Sequence, residues 1–325
     1  MLENSSRRLL VTGATGFLGA AVVHLARSQG WQVRAFSRGA SEIEGVESVS
    51  GDIRDPEALR RAAAGIDAIV HAAGLAHVFG PRAKDSAAFQ SVNEVGTLNV
   101  IDAALFCHVP HVVLVSSVSV YGSYRGDHCY ETTPCHPEGP YASSKYAAER
   151  RAAERVSASE TRLTILRLAT IYGAGDRGNV ARLIVALRRG RFLWIGSGSN
   201  RKSLIHKADA ARACLMPLQL QRRGTEVFNV SAQVIPMREI VTSICRALDR
   251  PVPRLTIPIK IVKAAGSVAA SLGNRVNLEQ QIKKFTREDA YDGKLFEETF
   301  GFKPQVSLAA GLREEVMHLR DQAGL

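Results

Sequence analysis

Short apolar runs that alternate with segments of helical periodicity dominate the first half of the chain. The apolar runs lie at residues 8–12, 32–36, 68–70, 112–115 and 163–166. Apolar residues recur at helical spacing after the first run, and further helices are predicted near residues 56–64, 86–107 and 141–156. Strands that alternate with helices are typical of a parallel sheet covered by helices on both faces. The pattern therefore predicts an α/β fold with a doubly wound parallel sheet.

The pattern changes after Tyr172. A glycine-rich stretch at residues 173–178 precedes a basic helix at residues 180–190, and a Gly/Ser turn follows at residues 196–199. We expect one domain over residues 1–172 and a smaller lobe formed mainly by residues 173–325. A strand near residues 225–231 is predicted to return to the first domain, so that the two interleave.

Composition and charge narrow the class of protein. The chain has 325 residues, of which 46% are hydrophobic and 22% charged, and its net charge is +11. These values are ordinary for a globular protein with a sizeable core. The basic residues are scattered in pairs without an aromatic-interleaved patch, which favours anionic small ligands over nucleic acid as the partner.

Targeting and metal-binding signals are weak. Three apolar residues at positions 9–11 are too few for a signal-peptide core, so we expect a cytoplasmic protein. The apolar stretch at residues 257–272 contains two lysines and is shorter than the ~20 residues of a membrane span. The five cysteines form no CxxC motif, which indicates reduced thiols and no metal site.

Three equally spaced glycines lie between the first strand and the first helix, in Gly13-Ala-Thr-Gly16-Phe-Leu-Gly19. In that context they permit a tight turn, and the helix N-terminus can hold a pyrophosphate. The motif predicts dinucleotide binding by a Rossmann-type domain.

Residues at the ends of the next strands indicate which dinucleotide binds. Arg38 follows the second strand, where an arginine suits a 2′-phosphate, so NADP is favoured over NAD. Asp52 has a carboxylate suited to an adenine amino group. The following strand ends with the small residues Ala72, Ala73 and Gly74, and small side chains are needed where a strand end lies under a cofactor.

Tyr141 and Lys145 are four residues apart in a helix-like segment and therefore share one helix face. A cation beside the phenol oxygen stabilises the phenolate and lowers its pKa. The spacing thus predicts an acid/base pair in which Lys145 lowers the pKa of Tyr141.

Together these motifs resemble the extended short-chain dehydrogenase/reductase family, which contains nucleotide-sugar epimerases, dehydratases and 4-ketoreductases. The resemblance covers nearly the whole chain. It rests on the glycine loop, Gly51-Asp52-Ile53, His71-Ala-Ala-Gly74, Asn93-Glu-Val-Gly96-Thr97, Ser116-Ser117-Val-Ser119-Val-Tyr121-Gly122, Tyr141 with Lys145, Leu166-Arg167, Ile171-Tyr172-Gly173, and Ser203-Leu-Ile-His206 with Asp209.

The resemblance implies a catalytic set and a cofactor site. Ser117 would bind the substrate oxygen, Tyr141 would exchange a proton with it, and Lys145 would hold the ribose hydroxyls. The implied cofactor-binding residues are Gly13, Thr15, Gly16, Phe17, Leu18, Gly19, Arg38, Asp52, Ile53, Ala72, Ala73, Gly74, Asn93, Ser116, Tyr141, Lys145 and Ile171.

The resemblance also implies a substrate site and a homodimer formed by the helices near residues 86–107 and 141–156. The implied substrate-binding residues are Ser117, Ser119, Thr170, Asn179, Arg201, Lys202 and Arg287. Lys202 stands where the family usually has arginine, which weakens the case for bidentate phosphate binding there.

Three functions fit these residues. The leading hypothesis is an NAD(P)-dependent oxidoreductase or epimerase that acts at C4 of a nucleoside-diphosphate sugar, with a 4-ketoreductase favoured over a 4-epimerase because of Arg38. The alternative is an NADP-dependent reductase of an apolar ketone such as a hydroxysteroid or flavonol, for which residues 192–195 and 257–272 supply apolar surface. A non-catalytic NADP-sensing protein is the third, although it would not require Ser117, Tyr141 and Lys145 together.

Overall fold

Twelve strands and ten α-helices can be assigned in the part of the chain that this computed structural model describes, which comprises residues 7–39, 43–76, 83, 85–123, 128–220, 223–257 and 286–322. The strands are β1 (Arg8–Thr12), β2 (Gln32–Ser37), β3 (Glu47–Ser50), β4 (Ala68–His71), β5 (His111–Ser117), β6 (Arg162–Leu168), β7 (Thr170–Tyr172), β8 (Trp194–Ile195), β9 (Arg201–His206), β10 (Thr225–Val230), β11 (Gln233–Pro236) and β12 (Thr256–Ile257).

The helices connect these strands. They are α1 (Phe17–Ser28), α2 (Pro56–Ala63), α3 (Ser86–Phe89), α4 (Gly96–Phe106), α5 (Gly139–Val156), α6 (Asn179–Arg188), α7 (Lys207–Leu215), α8 (Met237–Leu248), α9 (Lys294–Phe300) and α10 (Leu308–Gln322). A π-helical segment, Gln90–Val95, joins α3 to α4 without a break.

Seven parallel strands form the central sheet, in the order β10-β6-β5-β4-β1-β2-β3. All residues of β4 and β6 are buried, as expected for strands that helices cover on both faces. The strand order reverses beside β1, and ligands of such sheets bind at the carboxyl ends of the strands at this point. The predicted doubly wound parallel sheet is confirmed.

Residues after β6 build a second, smaller layer. Strands β11, β9 and β7 form a three-stranded sheet, and β12 pairs with β8. An apolar core of its own joins α6, α8 and α10, and it includes Phe192 and Trp194. Strand β10 then pairs with β6 in the central sheet, with Phe228 opposite Leu166 and Val230 opposite Leu168.

Two features of the fold bear on the sequence predictions. The apolar stretch at residues 257–272 lies outside the described residues except for Ile257. No helix among the described residues is both long and apolar enough to cross a membrane.

Candidate functional site

The glycine turn between β1 and α1 is closely packed against the end of β4. Gly13 has a φ of +69°, its N–H donates to the Phe36 carbonyl at 2.9 Å, and its carbonyl accepts from Gly16 N–H at 2.8 Å. A Cβ on Gly13 would lie 2.7 Å from the backbone of Ala73, and one on Gly19 only 2.0 Å from the Gly13 oxygen. Both positions therefore require glycine.

The N-terminus of α1 fits an anionic ligand. Gly16 precedes the helix and has no side chain to cap it, and the first turn contains no acidic residue. Helix α2 differs, because the Asp55 carboxylate accepts from the Glu57 and Ala58 N–H groups at its start. The first-turn N–H groups of α1 thus have no side-chain cap, which is the arrangement that anion-binding helix N-termini have. Thr15, Phe17 and Leu18 lie in this turn.

Arg38 and Asp52 lie beyond the carboxyl ends of β2 and β3. Arg38 is exposed. Arg54 binds both oxygens of the Asp52 carboxylate, at 2.9 and 2.7 Å, and this hydrogen bonding lowers the pKa of Asp52 to about 2, with Arg38 adding to the effect. Asp52 is therefore a fully ionised group that is already engaged by a cation. The adjacent Ile53 is buried, and its Cδ1 lies 2.6 Å from where a Cβ on Gly96 would be.

A buried histidine fixes the end of β4. His71 Nδ1 lies 2.6 Å from Thr12 Oγ1, and His71 Nε2 lies 3.0 Å from Thr97 Oγ1. Thr97 donates its proton to the Asn93 carbonyl, so it accepts from His71 Nε2–H, and Thr12 donates to Nδ1. Burial, with the nearby Lys145 charge, lowers the pKa of His71 to about 3. His71 is a neutral structural tie beside the glycine turn.

Asn93, in the π-helical segment, links the loop after β4 to α5. Its amide donates to the Leu75 carbonyl at 3.1 Å and to Ser144 Oγ at 3.0 Å, while its Oδ1 accepts from Leu75 N–H at 2.6 Å. Gly74 packs closely on it, because a Cβ there would lie 3.2 Å from Asn93 Oδ1. Asn93, predicted to contact the cofactor, thus holds the loop at the end of β4, which packs against the glycine turn.

Ser117, Tyr141 and Lys145 converge at the carboxyl end of β5. Ser117 is the last residue of β5, and its hydroxyl lies near the side chain of Tyr141 at the start of α5, close enough to affect the Tyr141 pKa. Lys145, one turn further along α5, donates from Nζ to the Val115 carbonyl at 2.6 Å. The structure therefore places the three predicted catalytic residues together, close to His71 and the glycine turn.

The protonation of this set differs from the sequence prediction. Burial raises the pKa of Tyr141, and the nearby Ser117 hydroxyl opposes that increase only in part. The Lys145 ammonium is directed at a carbonyl, and burial lowers its pKa to about 8. The predicted lowering of the Tyr141 pKa by Lys145 is not seen in this geometry, in which the Lys145 ammonium is directed at the Val115 carbonyl and burial is the main influence on Tyr141.

The short 3₁₀ helix Val118–Tyr121 adds a further polar group beside the three. Ser119 N–H donates to Ser117 Oγ at 3.2 Å, which helps to hold that hydroxyl. Ser119 Oγ is buried and has no hydrogen-bond partner in the structure. A buried hydroxyl without a partner is available for a bound ligand.

The second lobe brings the predicted substrate cations together, but each has a carboxylate partner. Arg201 pairs with Glu288, Lys202 Nζ lies 2.6 Å from Asp289 Oδ2, and Arg287 Nε lies 2.6 Å from Asp289 Oδ1. Arg201 and Lys202 are each 87 positions from their carboxylate partners in sequence. The sequence therefore could not show that these charges are compensated.

The remaining predicted substrate residues lie at the start of the second lobe. Asn179 is exposed at the first position of α6. Thr170 is exposed on β7, and the adjacent Ile171, which was predicted to contact the cofactor, is half-buried.

Glu149 is a residue of the site that the sequence did not predict. It is buried on α5, on the face that also carries Tyr141 and Lys145, and it accepts a hydrogen bond from Ser116 Oγ. Ser116, predicted to contact the cofactor, is therefore bonded to the protein. The spacing of Tyr141, Lys145 and Glu149 at successive fourth positions was the signal that could have revealed it.

Comparison with known proteins places this geometry in context. The chain is 31% identical to the 2-alkyl-3-oxoalkanoate reductase of Stenotrophomonas maltophilia (strain K279a), over 94% of this chain and 97% of that protein. It is 27% identical to the UDP-glucose 4-epimerase of Vibrio cholerae, over 95% and 94% of the two chains. The structure of MoeE5 in complex with UDP-glucose and NAD is similar, with a TM-score of 0.79 and 25% identity over 97% of this chain and 99% of that one.

A family model supports the same assignment. The model for the NAD-dependent epimerase/dehydratase family matches residues 9–231, which include the glycine turn, Ser117, Tyr141, Lys145 and the returning strand β10. With that match over more than half of its length, the chain belongs to the NAD-dependent epimerase/dehydratase family.

Proposed function

We propose that the chain is an NAD(P)-dependent oxidoreductase that acts at C4 of a nucleoside-diphosphate sugar, as a 4-ketoreductase in preference to a 4-epimerase. The observation that carries this proposal is the convergence of Ser117 and Tyr141 at the end of β5, with Lys145 on the same face of α5 and near His71, which contacts the strand that leads into the glycine turn. The proposal assigns dinucleotide binding to residues 1–172 and substrate binding mainly to residues 173–325.

The chain's own residues have separate roles in this reaction. A bound nicotinamide would supply the hydride to the carbonyl carbon. Ser117 orients the carbonyl oxygen by a hydrogen bond, and Tyr141 donates the proton that the developing alkoxide requires. Lys145 holds the ribose hydroxyls, and the N–H groups at the start of α1 hold the pyrophosphate. Ser119 Oγ offers a further hydrogen bond to a substrate hydroxyl.

The protonation of Tyr141 suits the proton transfer of a reduction. Because burial raises its pKa, Tyr141 is a protonated phenol at neutral pH and begins the reaction as a proton donor. Carbonyl reduction requires a donor at this position, whereas alcohol oxidation requires a base. The exposed Arg38 favours NADP, since a guanidinium suits the 2′-phosphate and a reductase exchanges its cofactor in each turnover.

The substrate class rests on the second lobe and on similarity to nucleotide-sugar enzymes. MoeE5, whose structure contains UDP-glucose and NAD, and the UDP-glucose 4-epimerase of Vibrio cholerae match this chain over nearly its full length. Arg201, Lys202 and Arg287 form a cluster on the second lobe, in which a diphosphate would compete with Glu288 and Asp289 for the cations. Dimerisation through α4 and α5 is part of the same proposal.

A second candidate is a reductase of an apolar oxo acid. The pairing of all three cations with carboxylates favours it, because compensated cations bind a diphosphate less well. The 31% identity to a 2-alkyl-3-oxoalkanoate reductase points the same way. Against it, Phe192 and Trp194 are buried in the core of the second lobe and offer little surface to an apolar substrate.

Thermal unfolding with nucleotides separates the two candidates. We expect UDP, dTDP or GDP to raise the Tm in the presence of NADPH, because a ligand that binds only the folded state stabilises it. Lys202→Gln should reduce that shift, while Lys294→Gln, a change at an exposed lysine, should not. If no nucleotide raises the Tm, the nucleotide-sugar assignment is wrong, and a panel of 3-oxo acids assayed by NADPH oxidation tests the second candidate.

A further inference from the structure

We propose that Glu149 is a positioning residue that serves as the buried counter-ion on the Lys145 face of α5 and holds the end of β5 against α5, so that Ser117, Tyr141 and Lys145 stay in register. The role of Lys145 in cofactor binding rests on the proposed function. The placement of Glu149 does not, since it follows from the contacts of the buried side chains.

The first step is the position of Glu149 on α5. It follows Lys145 by four positions and Tyr141 by eight, so all three lie on one helix face that packs on the sheet. Lys145 is 6% exposed and Glu149 3% exposed. A carboxylate this deeply buried is costly unless it is paired and hydrogen-bonded, which indicates that its contacts decide what it does.

The second step is the set of contacts that Glu149 makes with two strands. On β5, Ser116 Oγ donates to Glu149 Oε1. On β6, Arg167 donates from Nε at 3.1 Å and from Nη2 at 2.8 Å to Glu149 Oε2. Ser116 and Arg167 are opposite each other in the β5–β6 ladder, so one carboxylate ties α5 to both strands one residue before Ser117.

The network continues beyond Arg167. Its Nη1 donates to the Tyr121 hydroxyl at 2.8 Å, and Tyr121 donates to Asn229 Oδ1 on β10 at 2.7 Å. Tyr121 belongs to the 3₁₀ helix that also carries Ser119. The carboxylate therefore connects the strand end, the 3₁₀ helix and the returning strand β10.

The third step is the balance of charge around Lys145. Among the residues that the structure describes, the ionisable groups around Lys145 and Glu149 are His71 on β4, Tyr141 on α5, Arg167 on β6 with its neighbour Tyr121 in the 3₁₀ helix, and the Cys135 thiol in the loop before α5. His71 is neutral, and the raised pKa values keep both phenols and the thiol protonated.

Glu149 is thus the anion among these groups, while Lys145 and Arg167 are cations. Burial lowers the pKa of Lys145 to about 8, and the Glu149 charge opposes that decrease. Without the carboxylate, Lys145 would lose its proton near neutral pH and could no longer act as a cation beside Tyr141 and the ribose.

Titration of Lys145 in Glu149→Gln tests the inference without a substrate or cofactor. Trace acetylation with acetic anhydride, followed by mass spectrometry of the Lys145 peptide, reports the fraction of neutral amine at each pH. In Glu149→Gln the pH at which half of the Lys145 amine is neutral, the acetylation midpoint, should fall by about one pH unit relative to wild type, because the negative charge of the carboxylate has been removed. Glu149→Asp keeps the charge and should restore the midpoint. Glu154→Gln makes the same change at a 64% exposed position of the same helix and should have no effect.

A second measurement links the titration to the cofactor. The affinity of wild type for NADPH, measured by its fluorescence, should fall as pH rises through the pKa of Lys145, and in Glu149→Gln this fall should begin at lower pH. A role confined to stability would instead weaken binding equally at every pH. If wild type binds neither NADPH nor NADH, the proposed function fails, while the acetylation result still decides the role of Glu149.

The result that overturns the inference is an unchanged acetylation midpoint in Glu149→Gln. If that variant does not fold, Arg167→Gln provides the opposite test, because it removes the guanidinium that competes with Lys145 for the Glu149 carboxylate. The acetylation midpoint of Lys145 in Arg167→Gln should then rise, and an unchanged or lower midpoint contradicts the inference.

Discussion

Gly13 and Gly30 form a matched pair for alanine substitution, because both have positive φ angles and only one has a crowded Cβ position. Gly13 has a φ of +69° and Gly30 a φ of +84°. A Cβ on Gly30 would meet no atom within 4 Å, whereas one on Gly13 would lie 2.7 Å from the backbone of Ala73. The difference between the two variants therefore isolates the close packing of the glycine turn.

The expected magnitudes follow from these geometries. Gly30→Ala should cost about 1–2 kcal/mol of the free energy of unfolding, the strain of a left-handed conformation at a residue with a Cβ. Gly13→Ala carries the same strain and in addition displaces backbone, for which overpacking costs about 1–3 kcal/mol more. The end of β4 cannot yield easily, because His71 is hydrogen-bonded on both ring nitrogens.

Urea unfolding followed by circular dichroism measures both values, and NADPH fluorescence measures the effect on the cofactor site. Gly13→Ala should be the less stable variant and should bind NADPH at least about tenfold more weakly, which corresponds to about 1.4 kcal/mol. Gly30→Ala should bind as wild type does. Equal destabilisation by the two substitutions would refute the packing argument.

Two further predictions concern buried ionisable groups. Tyr141→Phe should lower kcat about 10²–10⁴-fold with NADPH affinity retained, since it removes the proton donor. Tyr130→Phe, a change at a 50% exposed tyrosine, should retain full activity. Normal turnover by Tyr141→Phe in an NADPH-oxidation assay contradicts the assigned role. Burial raises the pKa of Glu315 on α10 from 4.5 to about 8, so between these pH values the folded state keeps a proton that the unfolded state loses. The free energy of unfolding therefore falls as pH rises through this range, by up to about 1.4 kcal/mol per pH unit. Glu315→Gln does not titrate and should therefore gain stability relative to wild type between pH 5 and pH 8 in urea unfolding, whereas a constant difference would show that Glu315 is ionised in the fold.

The central sheet could be predicted because its strands are buried on both faces and read as short apolar runs. Edge and second-lobe strands do not have that pattern. Strand β3 is the polar sequence Glu47–Ser50 and is mostly exposed at the sheet edge. Strand β9 begins with Arg201 and Lys202, which gives no alternation that would identify a strand. Such strands are specified by their neighbours in the fold more than by their own residues.

The candidate site was predictable to the extent that it depends on local spacing. The face shared by Tyr141 and Lys145 follows from helix geometry alone. The direction of the Tyr141 pKa does not, because it depends on how deeply α5 packs against β5. The pairing of Lys202 with Asp289 joins residues 87 positions apart, which no local pattern shows.

The return of β10 to the central sheet has a consequence for how the protein is made. Strand β6 is complete at Leu168, but its outer edge stays unpaired until the ribosome has added the residues up to Val230. During that interval a strand whose residues are all buried in the finished fold presents free N–H and C=O groups to other chains, which favours aggregation. Nascent chains arrested before β10 should therefore bind chaperones more strongly than chains arrested just after it, and a truncated gene that ends at residue 172 should yield insoluble protein.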